Sequence, residues 1–181
     1  MTVADDQREI HETVLRYCRA VDRLDYPGIR AVYADDGVDH HTGFSGGADD
    51  FVAWLERGLP HLDGTMHLVG NHLSEVDGDQ AVAETYGTAV HWGTPAEEPA
   101  INFTSGFRYV DHFIRTTAGW RIRERFAIRE WTRVDAGRIS APSPSSVVDG
   151  DGPRGRRGEQ RDDDPLAVLR RQVLRPTGSV S

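Results

Sequence analysis

Lysine is absent from this chain of 181 residues, so all 21 of its basic side chains are arginine. That absence removes lysine Schiff-base chemistry and the phosphate-gripping lysine of a P-loop. Cysteine occurs once, as Cys18, which leaves no internal disulfide framework and no cysteine-based zinc cluster. No apolar run approaches the ~20 residues of a membrane span. The opening MTVADDQREIH has neither the basic nor the apolar segment of a secretory signal. A cytoplasmic protein with no membrane partner is the expectation. The formal net charge is −8, which argues against nucleic acid as a partner. GxGxxG, GxSxG, HExxH and CxxC motifs are all missing. Chemistry, if there is any, falls to His, Asp, Glu, Tyr and Arg.

Composition divides the chain near residue 135. Residues 1–134 carry strong apolar periodicity and read as one domain, whereas residues 135–181 are rich in Ser, Pro, Gly and clustered charge, as in a flexible linker. Within that tail, DPLAVLRRQVLR (164–175) can form a short helix with Asp164 as N-cap and Pro165 at the first helical position.

In the first part, Ile10, Val14, Tyr17, Cys18 and Val21 recur at helical spacing and predict a helix from about Asp5 to Leu24. Pro27 marks a second helix through Tyr33, Gly37–Thr42 reads as a short strand, and Asp49 or Asp50 opens a third helix through Leu59. From Thr65 the pattern alternates, predicting strands near 65–76, 80–92, 100–116 and 119–134. VDGDQ (76–80) is a hairpin signal through its Asp-Gly pair. Helices followed by a long antiparallel meander imply an α+β fold, with the helices on one face of a curved sheet.

Several residues in this frame can carry chemistry. Asp22 stands in the last turn of the first helix, where the macrodipole disfavours a carboxylate. It is either a solvated surface acid or an acid kept for function. GTMHLVGNHL (64–73) places His67 and His72 in a strand whose two faces are both mixed, so alternation does not say which ring points inward. The run AVAETYGTAVHW has a face of small side chains (Ala81, Ala83, Thr85, Gly87, Ala89) ending in His91. Such a face leaves room for a ligand or for a covering element. His40 and His41 are adjacent on a strand, so only one of them can enter a pocket. Arg125 belongs to an Arg-rich strand with Arg121, Arg123, Arg129 and Arg133, a face expected to be mostly solvated or ion-paired. Asp22, His41, His67 and His91 are chemically suited to Zn or Fe, but no local spacing supports a metal site, and none is expected.

The order RYCRAVDRLDYPGIRAVYADDGVDHH, then GTMHLVGNHLSEVDGDQAVAETYGTAVHW, then GFRYVDHFIRTTAGWRIRERFAIREW resembles the SnoaL-like branch of the nuclear transport factor 2-like superfamily over about residues 5–134. The resemblance implies a cone-shaped curved antiparallel sheet wrapping a pocket that the N-terminal helices close. It is nearest to the scytalone dehydratase, bile-acid dehydratase and hexachlorocyclohexane dehydrochlorinase type. Those enzymes share an Asp–His dyad, which falls on Asp22 and His67, and His72 is then structural. Tyr17, His91 and Arg125 match further site positions of one or another member. The two tyrosines that hold a water over the substrate carbonyl in scytalone dehydratase fall on Val21 and about His41, which makes that substrate unlike the one used here. Carbonyl polarisation then passes to Tyr17, His41 or His91.

The resemblance therefore implies a cofactor-independent lyase, a dehydratase of a small cyclic or polyketide-like hydroxy-carbonyl compound. Catalysis rests on Asp22 and His67, with Tyr17, His41, His91 and Arg125 binding substrate or assisting as acids. An isomerase or cyclase using the same base is the alternative within the fold, and a non-catalytic ligand-binding protein is the alternative outside enzymology. A homodimer or homotrimer is expected, because the sheet face bearing Val82, Tyr86, Val90 and Trp92 is apolar and left uncovered by helices.

Overall fold

Thr2 opens the first helix with a reciprocal cap. Its hydroxyl accepts from the Asp5 amide while the Asp5 carboxylate accepts from the Thr2 amide. The computed structural model describes residues 2–93 and 102–134, and the tail beyond 134, with its expected linker and short helix 164–175, lies outside them. Three helices come first or nearly so: α1 (Val3–Asp22), α2 (Tyr26–Ala31) and α3 (Ala48–Gly58), the last continued by a single 3-10 turn, Leu59–His61. Six strands form one sheet: β1 (Tyr33–His41), β2 (Phe44–Gly47), β3 (Gly64–Asp77), β4 (Gln80–Trp92), β5 (Phe103–Thr116) and β6 (Gly119–Val134).

The sheet runs β2-β1-β6-β5-β4-β3. β3 through β6 make the expected antiparallel meander, but β1 pairs with β6 in parallel. The sheet is therefore mixed rather than purely antiparallel. It curves without closing. The connection from β1 to β6 runs through β2, α3 and β3 to β5, the long return that a parallel pair requires.

The helices cover the concave side of the sheet. Ile10, Val14, Tyr17, Cys18 and Val21 of α1 are buried there together with Phe51 of α3, Phe113 of β5, and Trp120 and Ile122 of β6. Each fully buried aliphatic side chain of this set contributes ~1.5–3 kcal/mol relative to exposure. The small face of β4 lies beneath them, with Ala81, Ala83, Thr85 and Ala89 buried while Val82 and Tyr86 point to solvent on the convex side.

Bulges decide which side chains reach the interior. On β3, Val69 pairs with Gly87 and His72 with Thr85, so one residue is inserted between them. A one-residue insertion reverses the facing of everything beyond it. His67 and His72, on opposite faces by simple alternation, thus both point toward the helices. On β6, Ile122 pairs with Phe113 and Glu124 with His112, which makes Arg123 the inserted residue. Beyond it Arg125 turns inward. The single Arg-rich face expected from alternation does not exist.

Candidate active site

α1 ends in a tight reversal that holds Asp22 at its last position. The Asp25 amide donates to the Ala20 carbonyl at 2.8 Å and the Leu24 amide to Val21 at 3.2 Å, the paired bonds of a Schellman cap. The residue in the left-handed conformation is Leu24, at φ 53°, where glycine is usual. Leucine accepts that backbone cost, of order 1 kcal/mol, while its side chain packs against the core.

Asp22 faces β3, and three donors converge on its carboxylate. The Thr65 hydroxyl reaches Oδ1 at 2.9 Å, the His67 amide reaches Oδ2 at 2.9 Å, and His67 Nδ1 lies 2.6 Å from Oδ1. The side chain of His67 is nearly buried, at 8% exposure, and that of Asp22 keeps 20%. With Nδ1 engaged by the carboxylate, the imidazole is fixed in orientation and its Nε2 is left for other work. The ring meets His91 edge-on at 6.1 Å and Phe107 at 5.8 Å.

His67 lines a cavity of about 460 Å³ between the concave sheet and the helices. Its walls are mainly apolar and aromatic: Trp54, Leu55, Phe103, Phe107 and Tyr109, with Tyr17, His41 and His91 among the polar contributors. His91 stacks on Phe103 at 4.3 Å. Tyr17 is fully buried, and burial followed by the nearby Asp39 charge pushes its phenol well above the usual range, so it stays protonated and can donate. Cys18 is buried behind the cavity wall. Burial pushes its thiol up to about 12, which keeps it from acting as a nucleophile.

His41 reaches the cavity from β1, far along the same sheet from β3, and its neighbour His40 points outward to Ser45 and Glu124. His41 Nδ1 bonds to Asp39, whose second carboxylate oxygen accepts from the Tyr33 hydroxyl. The His41 ring stacks on Phe51 at 4.8 Å. Asp39 on β1 pairs in register with Arg125 on β6, and Arg125 with Asp111 on β5. All three are buried, at 0%, 0% and 1% exposure. Arg125 grips Asp111 through Nε and Nη2, each at 2.7 Å, and its guanidinium lies over the rings of Tyr17 and Tyr109 at 4.3 and 4.0 Å. Arg125 does not line the cavity. It stands behind the tyrosines that do.

Residues 2–126 match the SnoaL-like domain. The chain belongs to the SnoaL-like family. Over 125 residues it is 29% identical to the uncharacterized protein Rv2910c of Mycobacterium tuberculosis, covering 66% of this chain and 82% of that one. Among solved structures it resembles a candidate scytalone dehydratase from Novosphingobium aromaticivorans (20% identity, TM-score 0.64, 77% of this chain and 93% of that one). It also resembles a hexachlorocyclohexane dehydrochlorinase, LinA type 2 (16% identity, TM-score 0.65, 74% and 91%). At these identities the structural likenesses establish the shared fold.

Within this SnoaL-like fold, the structure brings Asp22 and His67 into contact and gathers Tyr17, His41 and His91 around one cavity with them, while Arg125 is set apart. His72 lies under α1, stacked on His11 at 4.6 Å and bonded through Nδ1 to the Thr85 hydroxyl at 2.8 Å. Sequence reasoning passed over Asp39 and Asp111. Two signals were present. Asp39 and His41 are two apart on a strand and so share a face. Asp111 interrupts the inward aromatic row Phe107, Tyr109, Phe113 of β5, where an acid has no place unless a partner meets it.

Proposed function

We propose that this SnoaL-like protein is a cofactor-independent lyase that dehydrates a small cyclic hydroxy-carbonyl compound, with His67 as general base and Asp22 as its orienting carboxylate. The observation that carries the reading is the Asp22–His67 pair at the cavity wall. Asp22 fixes the ring by its contact with Nδ1 and stabilises the imidazolium that forms when Nε2 takes a proton. The acidic proton is one α to a carbonyl, and the hydroxyl β to that carbonyl departs as water.

The cavity supports the substrate class. A volume of about 460 Å³ with aromatic walls suits one or two fused rings. Tyr17, still protonated, is placed to hydrogen-bond a polar group of the ligand, and His91 lies beside the base.

A hydroxytetralone carrying its hydroxyl β to the ketone tests the reading, because loss of water converts it to a fluorescent naphthol. The wild-type protein is expected to accelerate naphthol formation, and His67→Gln to abolish the acceleration while its circular dichroism stays native. Naphthol formation by His67→Gln at the wild-type rate would contradict the assignment.

A further inference from the structure

The row Asp39, Arg125, Asp111 holds two acids and one base side by side in the interior of the fold, on three neighbouring strands. Arg125 commits Nε and Nη2 to Asp111, and its Nη1 is buried with no hydrogen-bond partner. Asp39 is therefore a second buried carboxylate with no guanidinium bonded to it. A buried charge persists only when it is paired. The groups bonded to Asp39 are the Tyr33 hydroxyl, which carries no charge, and the His41 ring. Of the two groups bonded to Asp39, only the His41 ring can carry a compensating positive charge.

We propose that His41, held by Asp39 and Tyr33, is a second catalytic imidazole that works as the imidazolium and protonates the carbonyl oxygen of the substrate as the enol forms. This rests on the reading of His67 as the base. His41 on β1 and His67 on β3 line the same cavity, with β6, β5 and β4 between them in the sheet. On a flat sheet those four steps would span ~19 Å, and the curvature brings both side chains to the same cavity. Phe107 and Tyr109 of β5, 4.4 Å apart, form the floor between the two imidazoles. A ring lying on that floor presents one edge to His67 and another to His41.

His67 Nε2 takes the α proton; the C–H pair becomes a carbon–carbon double bond, and the carbonyl π pair moves to oxygen, which takes the proton from His41 Nε2. The enol then collapses. Its O–H proton returns to His41, the double bond shifts to the α,β position, and the β C–O bond breaks. The departing hydroxide takes the proton that His67 had gained and leaves as water. Both rings finish as they began. Asp39 and Tyr33 are positioning residues in this scheme, since they act through His41.

The test uses para-nitrophenol, whose absorbance reports phenolate directly and needs no turnover. Bound to the wild-type protein it should be enriched in phenolate about tenfold over free nitrophenol at the same pH, equivalent to about one pKa unit. His41→Gln should remove the enrichment and His67→Gln should keep it. Absence of enrichment in the wild type, absence of binding, or loss of enrichment in His67→Gln instead would overturn the proposal. Should His41→Gln fail to fold, nitrogen-15 spectra of the wild type decide. Both His41 ring nitrogens protonated at neutral pH supports it, and one bare nitrogen overturns it. None of these readouts depends on dehydration, so the role of His41 can fail while the base stands, and the reverse.

Discussion

Arg125 and Asp111 face each other across β6 and β5 as a two-bond ion pair buried from solvent on both sides, 2.7 Å apart at each bond. Removing one partner strands the other charge in the interior. Arg125→Leu is therefore expected to destabilise the fold by about 3–5 kcal/mol, measured by urea unfolding. The double variant Arg125→Leu, Asp111→Leu should recover part of that loss. A change below ~1 kcal/mol in the single variant would mean that the pair is not buried as described.

His72 carries a pH dependence. Its ring is half-buried, and desolvation, followed by the charge of the stacked His11, lowers its pKa from 6.5 to about 4. The folded protein keeps the ring neutral over a range where the unfolded chain protonates it. Stability from this group is thus complete above pH 6.5 and is lost as pH falls toward about 4. The wild type should show a steeper fall in unfolding free energy across that window than His72→Gln. Equal slopes would remove His72 as the cause. Solvent screening of a half-buried ring keeps the effect below the few kcal/mol that the full shift would give.

The convex face is expected to be a contact between copies of the chain. Met66 and Leu68 of β3 are 57% and 67% exposed, and on the same face of β4 Val82 and Tyr86 are 55% and 44% exposed. Apolar area of this kind costs ~25 cal/mol per Å² to leave in water. Sedimentation should give a homodimer or homotrimer at micromolar concentration, and Tyr86→Arg should dissociate it. A monomer of 20.1 kDa in the wild type would contradict this.

Added chelator should leave naphthol formation unchanged. Among the described residues no group of three or more His, Cys, Asp or Glu side chains is arranged to hold a metal ion. Stoichiometric Zn or Fe in the purified protein, lost together with activity, would overturn that expectation.

Much of the fold was legible because its signals are local. The apolar stripe of α1 and the alternation of β3 to β6 place those elements within a few residues of their observed ends. β2 was not legible, since FSGG carries no alternation. The parallel pairing of β1 with β6 was hidden too, because it joins segments about 85 residues apart that no turn connects. The site was harder still. Asp22 and His67 are 45 residues apart and met through family resemblance, not through any property of either residue alone. Arg125 could not be placed by counting, because the residue inserted at Arg123 exchanges the two faces of β6. The same holds for His72 and the bulge in β3.

The central claim is that His67, oriented by Asp22, removes a proton from carbon. Deuterium exchange into α-tetralone isolates that step, since this ketone has no hydroxyl to lose and each exchange event reports one proton abstraction. The wild-type protein in D2O should label the α position well above the buffer rate. Asp22→Asn should slow labelling about 10²–10⁴-fold, and His67→Gln should return it to the buffer rate, both with native circular dichroism. Labelling by His67→Gln as fast as by the wild type would contradict the account.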